Sequence, residues 1–334
     1  MVLHRPIFLS WDEHKFGVLH EERRQQMHLL EGIPTNVGTA RDQWILDAIA
    51  SGQATYEFAP VHSTYNGHEA TFYIFRDALK IDGVRILVTA KLAQQIADLL
   101  DCSLLTPKLA DLLFEQGTVR LPPLPRQPVT SDTKTMIAQS ERIDKEIDKA
   151  GGDDGGIIQT VGKHWVLVNK INGTSKAANY GWHFEGKTFG GQKYEATVSI
   201  PGGRLIQGVG TAHNASHVDY SQNLVLVSND VEVDGETVRL QDLLQDPEYA
   251  GLASHEGVLK VLRQPGVSGS ISSDHPTVEH PTQPTSPTSS SSTVPASSPT
   301  KSNAGAIFGM ILGGVSLGVL GYLAVKRSRL QNGQ

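Results

Sequence analysis

The sequence predicts an α+β head followed by a polar stalk and one membrane-spanning helix. Three observations carry this reading. Apolar residues repeat with helical spacing mainly in the N-terminal half, as at Trp44, Ile45, Ala48 and Ile49. Short β-rich runs separated by glycines dominate the C-terminal half, without the regular βαβ alternation of a dinucleotide-binding fold. The chain then turns Pro/Ser/Thr-rich and ends in an uncharged run followed by Lys326, Arg327 and Arg329. The boundaries read as a head over 1–266, a disordered stalk over 267–303, a transmembrane helix over 304–325 and a basic tail over 326–334.

The elements follow in order. Residues 11–50 read as helical with turns, closed by Ser51-Gly52. Residues 55–62 and 70–75 read as a hairpin around Asn66-Gly67, and 84–89 as a third strand. Helices follow at 91–100 and at 107–114, the second with Thr106 as N-cap and Pro107 at its first position. Residues 121–128 form a proline-stiffened connector, and 140–150 a charged helix ended by the glycines of 151–156. Strands are expected at 157–169, 177–184, 194–200, 205–207 and 224–233, with Asp234-Gly235 as a second hairpin turn. Short helices at 238–244 and 249–255 and a strand at 258–262 close the head.

Composition narrows the function classes. The net charge is −6 and no long basic run lies outside the anchor flank, which argues against a nucleic-acid partner. One cysteine, Cys102, excludes an intrachain disulfide. The stalk, with Pro276, Pro281, Pro284, Pro287, Pro295 and Pro299, buries too little apolar surface to order its backbone. The span needs about 20 apolar residues and has them. Gly305, Gly309 and Gly313 share one face and suit anchor-mediated self-association. Two expectations for orientation stand open. The N-terminus does not read as a signal peptide, which keeps the head cytosolic, whereas the basic flank after the span points it outward. The Ser/Thr stalk and the glycosylation patterns at Asn172 and Asn214 suit the outward orientation.

Chemistry concentrates in two polar blocks, Asn179-Tyr180-Gly181-Trp182-His183-Phe184 and His213 through Gln222. His183, His213 and Asp219 have the donor types of a zinc site. His217 or His183 oriented by Asp219 has the make-up of a general base. The same residues also suit a structural hydrogen-bond network. His183, His217 and Asp219 are expected to converge in one pocket walled by Trp182 and Tyr220, with the strand broken or bulged near His183.

Three resemblances accompany these residues. Trp182-His183-Phe184 with a separate His…Asp pair resembles the zinc peptidases that trim D-alanyl peptides, although there the pair precedes the Trp-His element and here it follows. Asp101-Cys102-Ser103 resembles the helix start of NlpC/P60-type cell-wall cysteine peptidases, although Leu104 replaces that family's glycine and the helix begins later. That resemblance implies Cys102 as nucleophile, His183 as base, and His217 or Asp219 to orient it. Finally, Glu31 to Gly38, Asp77 to Gly83, Asn179 to Phe184, His217 to Gln222 and Leu262 to Gly266 look like blocks of a family of uncharacterised microbial proteins, which implies one head unit and no named activity. Two functions therefore compete: a membrane-tethered hydrolase of amide or peptide bonds, and a non-catalytic tethered binding module.

Overall fold

Asn66 and Gly67 take positive φ, 50° and 89°, and so close the tight hairpin of β2 (Phe58–Tyr65) and β3 (His68–Phe75) that the sequence predicts. A computed structural model describes residues 30–159, 161–185, 198–200 and 203–269. The chain's contacts divide it into Met1–Gln283 and Pro284–Gln334, and all described residues belong to the first unit. The expected span, the tail and nearly all of the stalk lie outside the described residues. Among the described residues no helix is long and apolar enough to cross a membrane.

The elements alternate irregularly, as an α+β fold does. In order they are α1 (Thr39–Ala50), β1 (Ala54–Thr55), the β2–β3 hairpin, β4 (Lys80–Ile81), β5 (Val84–Arg85), α2 (Ala90–Leu99), β6 (Cys102–Leu104), α3 (Pro107–Glu115), β7 (Val119–Arg120) and α4 (Thr133–Lys149). Then come β8 (Ile158–Gln159), β9 (Lys163–Val166), β10 (Ala178–Phe184), β11 (Val198–Ile200), β12 (Gly203–Gly210), β13 (Leu226–Val233), β14 (Glu236–Arg239) and α5 (Leu240–Gln245).

Two sheets organise these elements. In the larger, β13 pairs antiparallel with β3 on one edge and with β6 and β14 on the other, and β2 closes the far side of β3. The smaller is ordered β11-β12-β10-β9. The core includes Val61, Phe72, Ile74, Leu92, Ile96, Leu109 and Val227, which are buried and apolar, as burial of such side chains drives folding. Local chemistry sets the helix starts. Thr89, Thr106 and Asp132 accept backbone amides from Leu92, Leu109 and Thr135, satisfying donors that a first turn leaves open.

Several boundaries differ from expectation. The charged helix begins at Thr133 because Asp132 caps it there. The third strand stops at Arg85, after which Leu87 makes only a bridge to Asn223. The expected strand over 157–169 is two strands, β8 and β9. Residues 258–262 form no strand, and the expected helix over 249–255 is a single 3-10 turn at Ala250–Leu252. Cys102 lies on a strand, β6, where no element was expected.

Candidate functional site

The site is built around β10. Its backbone leaves the β region at Gly181 (φ 144°) and Trp182 (φ 55°). A bulky residue at positive φ is an outlier among L-residues. A Cβ on Gly181 would stand 3.0 Å from the Gly162 carbonyl oxygen and 3.1 Å from Lys163 Cα, so β9 approaches a bare backbone there. The register against β12 also shifts between Asn179 and Gly181. In a regular strand Tyr180 and His183, three apart, would face opposite sides. Here both reach one carboxylate.

That carboxylate is Asp111 of α3, which is buried. The Tyr180 hydroxyl donates to its Oδ1 at 2.8 Å, and His183 Nε2 meets the same oxygen at 2.8 Å. His255 Nε2 meets Oδ2 at 2.8 Å. An ionised carboxylate only accepts, so both imidazoles carry their proton on Nε2. Burial alone would raise the Asp111 carboxyl, but the bonds from His183 and His255, the His183 charge and the Tyr180 hydroxyl outweigh it and hold it below its usual range. Phe114 stacks on the His183 ring at 5.3 Å. His164 pairs with Tyr180 across β9–β10 and so shares its face. Burial, with the nearby His183, pushes His164 down to about 3. This cluster braces α3, β10 and the segment around His255. Thr106 Oγ1 and Lys108 Nζ add bonds to the carbonyls of Ala253 and Gly251.

Lys163 and His164 are neighbours on β9, so Lys163 points to the opposite face. There Lys163 Nζ approaches Asp219 Oδ2 at 3.2 Å and lies 5.5 Å from the Trp182 ring centroid. The Ser221 amide and hydroxyl donate to Asp219 Oδ1 at 2.8 and 2.5 Å. His217 Nε2 stands 3.7 Å from Asp219 Oδ2, is buried and makes no hydrogen bond. The His213 and His217 rings stack face to face, 3.7 Å apart and 4° from parallel. Trp182 leans on Tyr220 at 6.1 Å. Burial, then His217 and Lys163, lower the His213 pKa and outweigh the opposing pull of Asp219. Burial would raise the Asp219 carboxyl, but Lys163 and the two Ser221 donors hold it below the usual range. The result is a largely buried polar cluster flanked by the Trp182 and Tyr220 rings.

The sequence-predicted residues therefore separate. His213, His217 and Asp219 come together, and Trp182 and Tyr220 stand beside them. His183 does not join them: it is fully buried on Asp111, with no surface to present to a ligand. This also removes it from the expected zinc set. Among the described residues no group of three or more His, Cys, Asp or Glu is arranged to hold a metal.

Cys102 is corrected too. Its thiol is buried on β6 and directed at the Leu100 carbonyl at 3.3 Å. Burial and the adjacent Asp101 push its pKa up, against a weaker pull from Arg239. It has neither the thiolate character nor the access of a nucleophile.

Sequence reasoning missed Lys163, Asp111, His164 and His255. The one legible signal was Asp111, a carboxylate among the buried Leu109, Ala110, Leu113 and Phe114 of α3, which requires a partner. Comparison of the chain with protein-family models, curated proteins and solved structures finds no match.

Proposed function

We propose that the Lys163–Trp182–His213–His217–Asp219 cluster is an acid–base site and that the chain is a membrane-anchored hydrolase of amide or peptide bonds. The observation that carries the reading is Trp182, held at φ 55° within a strand and facing the Lys163 ammonium that meets Asp219. Such backbone strain persists only where the surroundings over-determine it, and it clusters at functional sites. The chemistry follows from the placement. His213, kept in its unprotonated form by burial and its cationic neighbours, takes a proton from a water whose oxygen bonds to the substrate carbonyl carbon. His217, beside the Asp219 carboxylate, delivers a proton to the leaving nitrogen as the C–N bond breaks. Lys163 and Ser221 keep Asp219 ionised and fixed. Trp182 offers a flat wall for the substrate.

The test is hydrolysis of dipeptide p-nitroanilides and D-alanyl peptides by the full chain in detergent. His213→Ala and His217→Gln should each lower kcat/KM at least about 100-fold, the usual scale of acid–base catalysis, without lowering the melting temperature. No turnover of any probe, or turnover unchanged in both variants, sinks the hydrolase. One observation favours the second reading, a tethered binding module. Two cavities, of about 340 and 370 Å³, lie at the β13–β14 hairpin and the β2–β3 sheet edge, and neither is lined by these histidines.

The anchor over 304–325 completes the proposal. The full chain should pellet with membranes and resist carbonate and high salt, whereas a chain ending at Gly266 should stay in solution. Extraction by carbonate alone would remove the anchor from the reading. Self-association through the glycine face predicts that Gly309→Ile with Gly313→Ile abolishes anchor dimerisation in a membrane reporter assay.

A further inference from the structure

The β13–β14 hairpin turns at Asp234-Gly235, and α5 leaves β14 directly. Between the hairpin and α5 lies a cavity of about 340 Å³. Its floor is apolar: Val233, Val238, Leu243 and the Tyr249 ring. Its rim carries four carboxylates: Asp234, Glu236, Asp242 and Asp246. Carboxylates alone would mark only a solvated surface. Here they ring an apolar floor in a cavity of the size that small ligands occupy.

The charges of this rim are largely uncompensated. Asp234 meets His68 Nδ1 at 2.6 Å. Among the described residues no Lys or Arg forms an ion pair with Glu236, Asp242 or Asp246. The nearest cation in sequence, Arg239, is turned away onto Asp101 and Asp230. Three like charges around an apolar surface repel one another and any anionic ligand, and they attract a cation that covers the floor.

We propose that this groove binds a small organic ammonium ion with an apolar body. The body lies on Val233, Val238 and Leu243. The ammonium sits among Glu236, Asp242 and Asp246, beside the Tyr249 ring, which also packs against the His68 imidazole at 4.7 Å. The site is distinct from the His213–His217 cluster and does not depend on its chemistry.

Calorimetry on the full chain in detergent, blanked against empty micelles, tests this with phenethylammonium and phenylacetate, which share a ring and differ in charge. Phenethylammonium should bind saturably at one site and phenylacetate should not. Glu236→Gln with Asp242→Asn, both exposed positions, should weaken phenethylammonium about tenfold while the melting temperature holds. Val238→Trp, which fills the floor from a half-exposed strand position, should abolish binding. His213→Ala should leave binding unchanged, which separates failure of this site from failure of the hydrolase. Equal binding of phenylacetate, no saturable heat, or indifference to the paired Gln/Asn change each overturns the proposal. A lysine-containing hexapeptide that binds more tightly than the free amine also overturns it, in favour of a protein partner.

Discussion

Both ring nitrogens of His164 are buried without a hydrogen-bond partner, so the ring resists taking a proton. Its folded pKa, about 3, lies below the unfolded value of 6.5. A group depressed on folding contributes stability above its unfolded pKa, and that stability is lost as pH falls toward the folded one. Between pH 6.5 and pH 3 the loss approaches about 1.4 kcal/mol per pH unit. Urea unfolding at pH 7 and pH 4.5 should show a fall of roughly 2–3 kcal/mol from this ring, and His164→Leu should flatten it. An unchanged pH slope in that variant would refute the assignment. Cys102 makes a separate prediction. Iodoacetamide should leave it unmodified at neutral pH until the chain unfolds, because the thiol is buried and its pKa raised. Rapid alkylation of the folded chain would restore the nucleophile. At this scale the sequence showed which residue types were present but not their partners. His183 reads as a site residue by its neighbours in sequence, and only α3, some seventy residues earlier, reveals that it is a brace.

β10 shows what the element scale adds. The sequence predicts its interruption near His183, because Trp182 and His183 cannot otherwise serve one pocket. The interruption is there, at Gly181 and Trp182, but it joins Tyr180 to His183 instead of Trp182 to His183. Gly162 fixes the other side. A Cβ there would stand 2.1 Å from the Ser221 carbonyl oxygen, so β9 and the 219–221 turn are in backbone contact. The Lys163 amide donates to that same oxygen at 2.7 Å. Gly162→Ala should therefore push the turn outward, costing about 1–3 kcal/mol as overpacking does. It should also separate Lys163 from Asp219. A variant that keeps wild-type stability and wild-type activity would show the contact to be slack. Hairpins and caps were legible because each is a local pattern: Asn66-Gly67, Asp234-Gly235 and Thr106-Pro107 carry their own geometry. β6 was not legible. Three residues between two helices have no periodicity to read, and β6 is a strand only because β13 arrives beside it.

Across the whole molecule, a buried arginine ties separate segments. Arg85 is fully buried and bonds Asp77 at 2.6 Å and Asp144 of α4 at 2.6 Å. Its loss leaves Asp77 with Lys80 as its remaining ion-pair partner. Arg85→Leu should cost about 3 kcal/mol, the lower end for breaking a buried pair. Adding Asp77→Asn should recover part of that loss in a double-mutant cycle, and strict additivity would show the two residues to be uncoupled. The larger sheet has the same long reach. Its middle strand, β13, begins at Leu226, whereas the β3 and β6 strands it joins end at Phe75 and Leu104. A growing chain that has emerged only as far as Asn223 therefore has no strand to place between them. It exposes the apolar faces of β2, β3 and α2 for as long as the next segment takes to be made. Synthesis thus imposes a waiting period on the first half of the head. Arrested nascent chains ending before Leu226 should be cut readily by protease, and chains extended well past Gly266 should resist it.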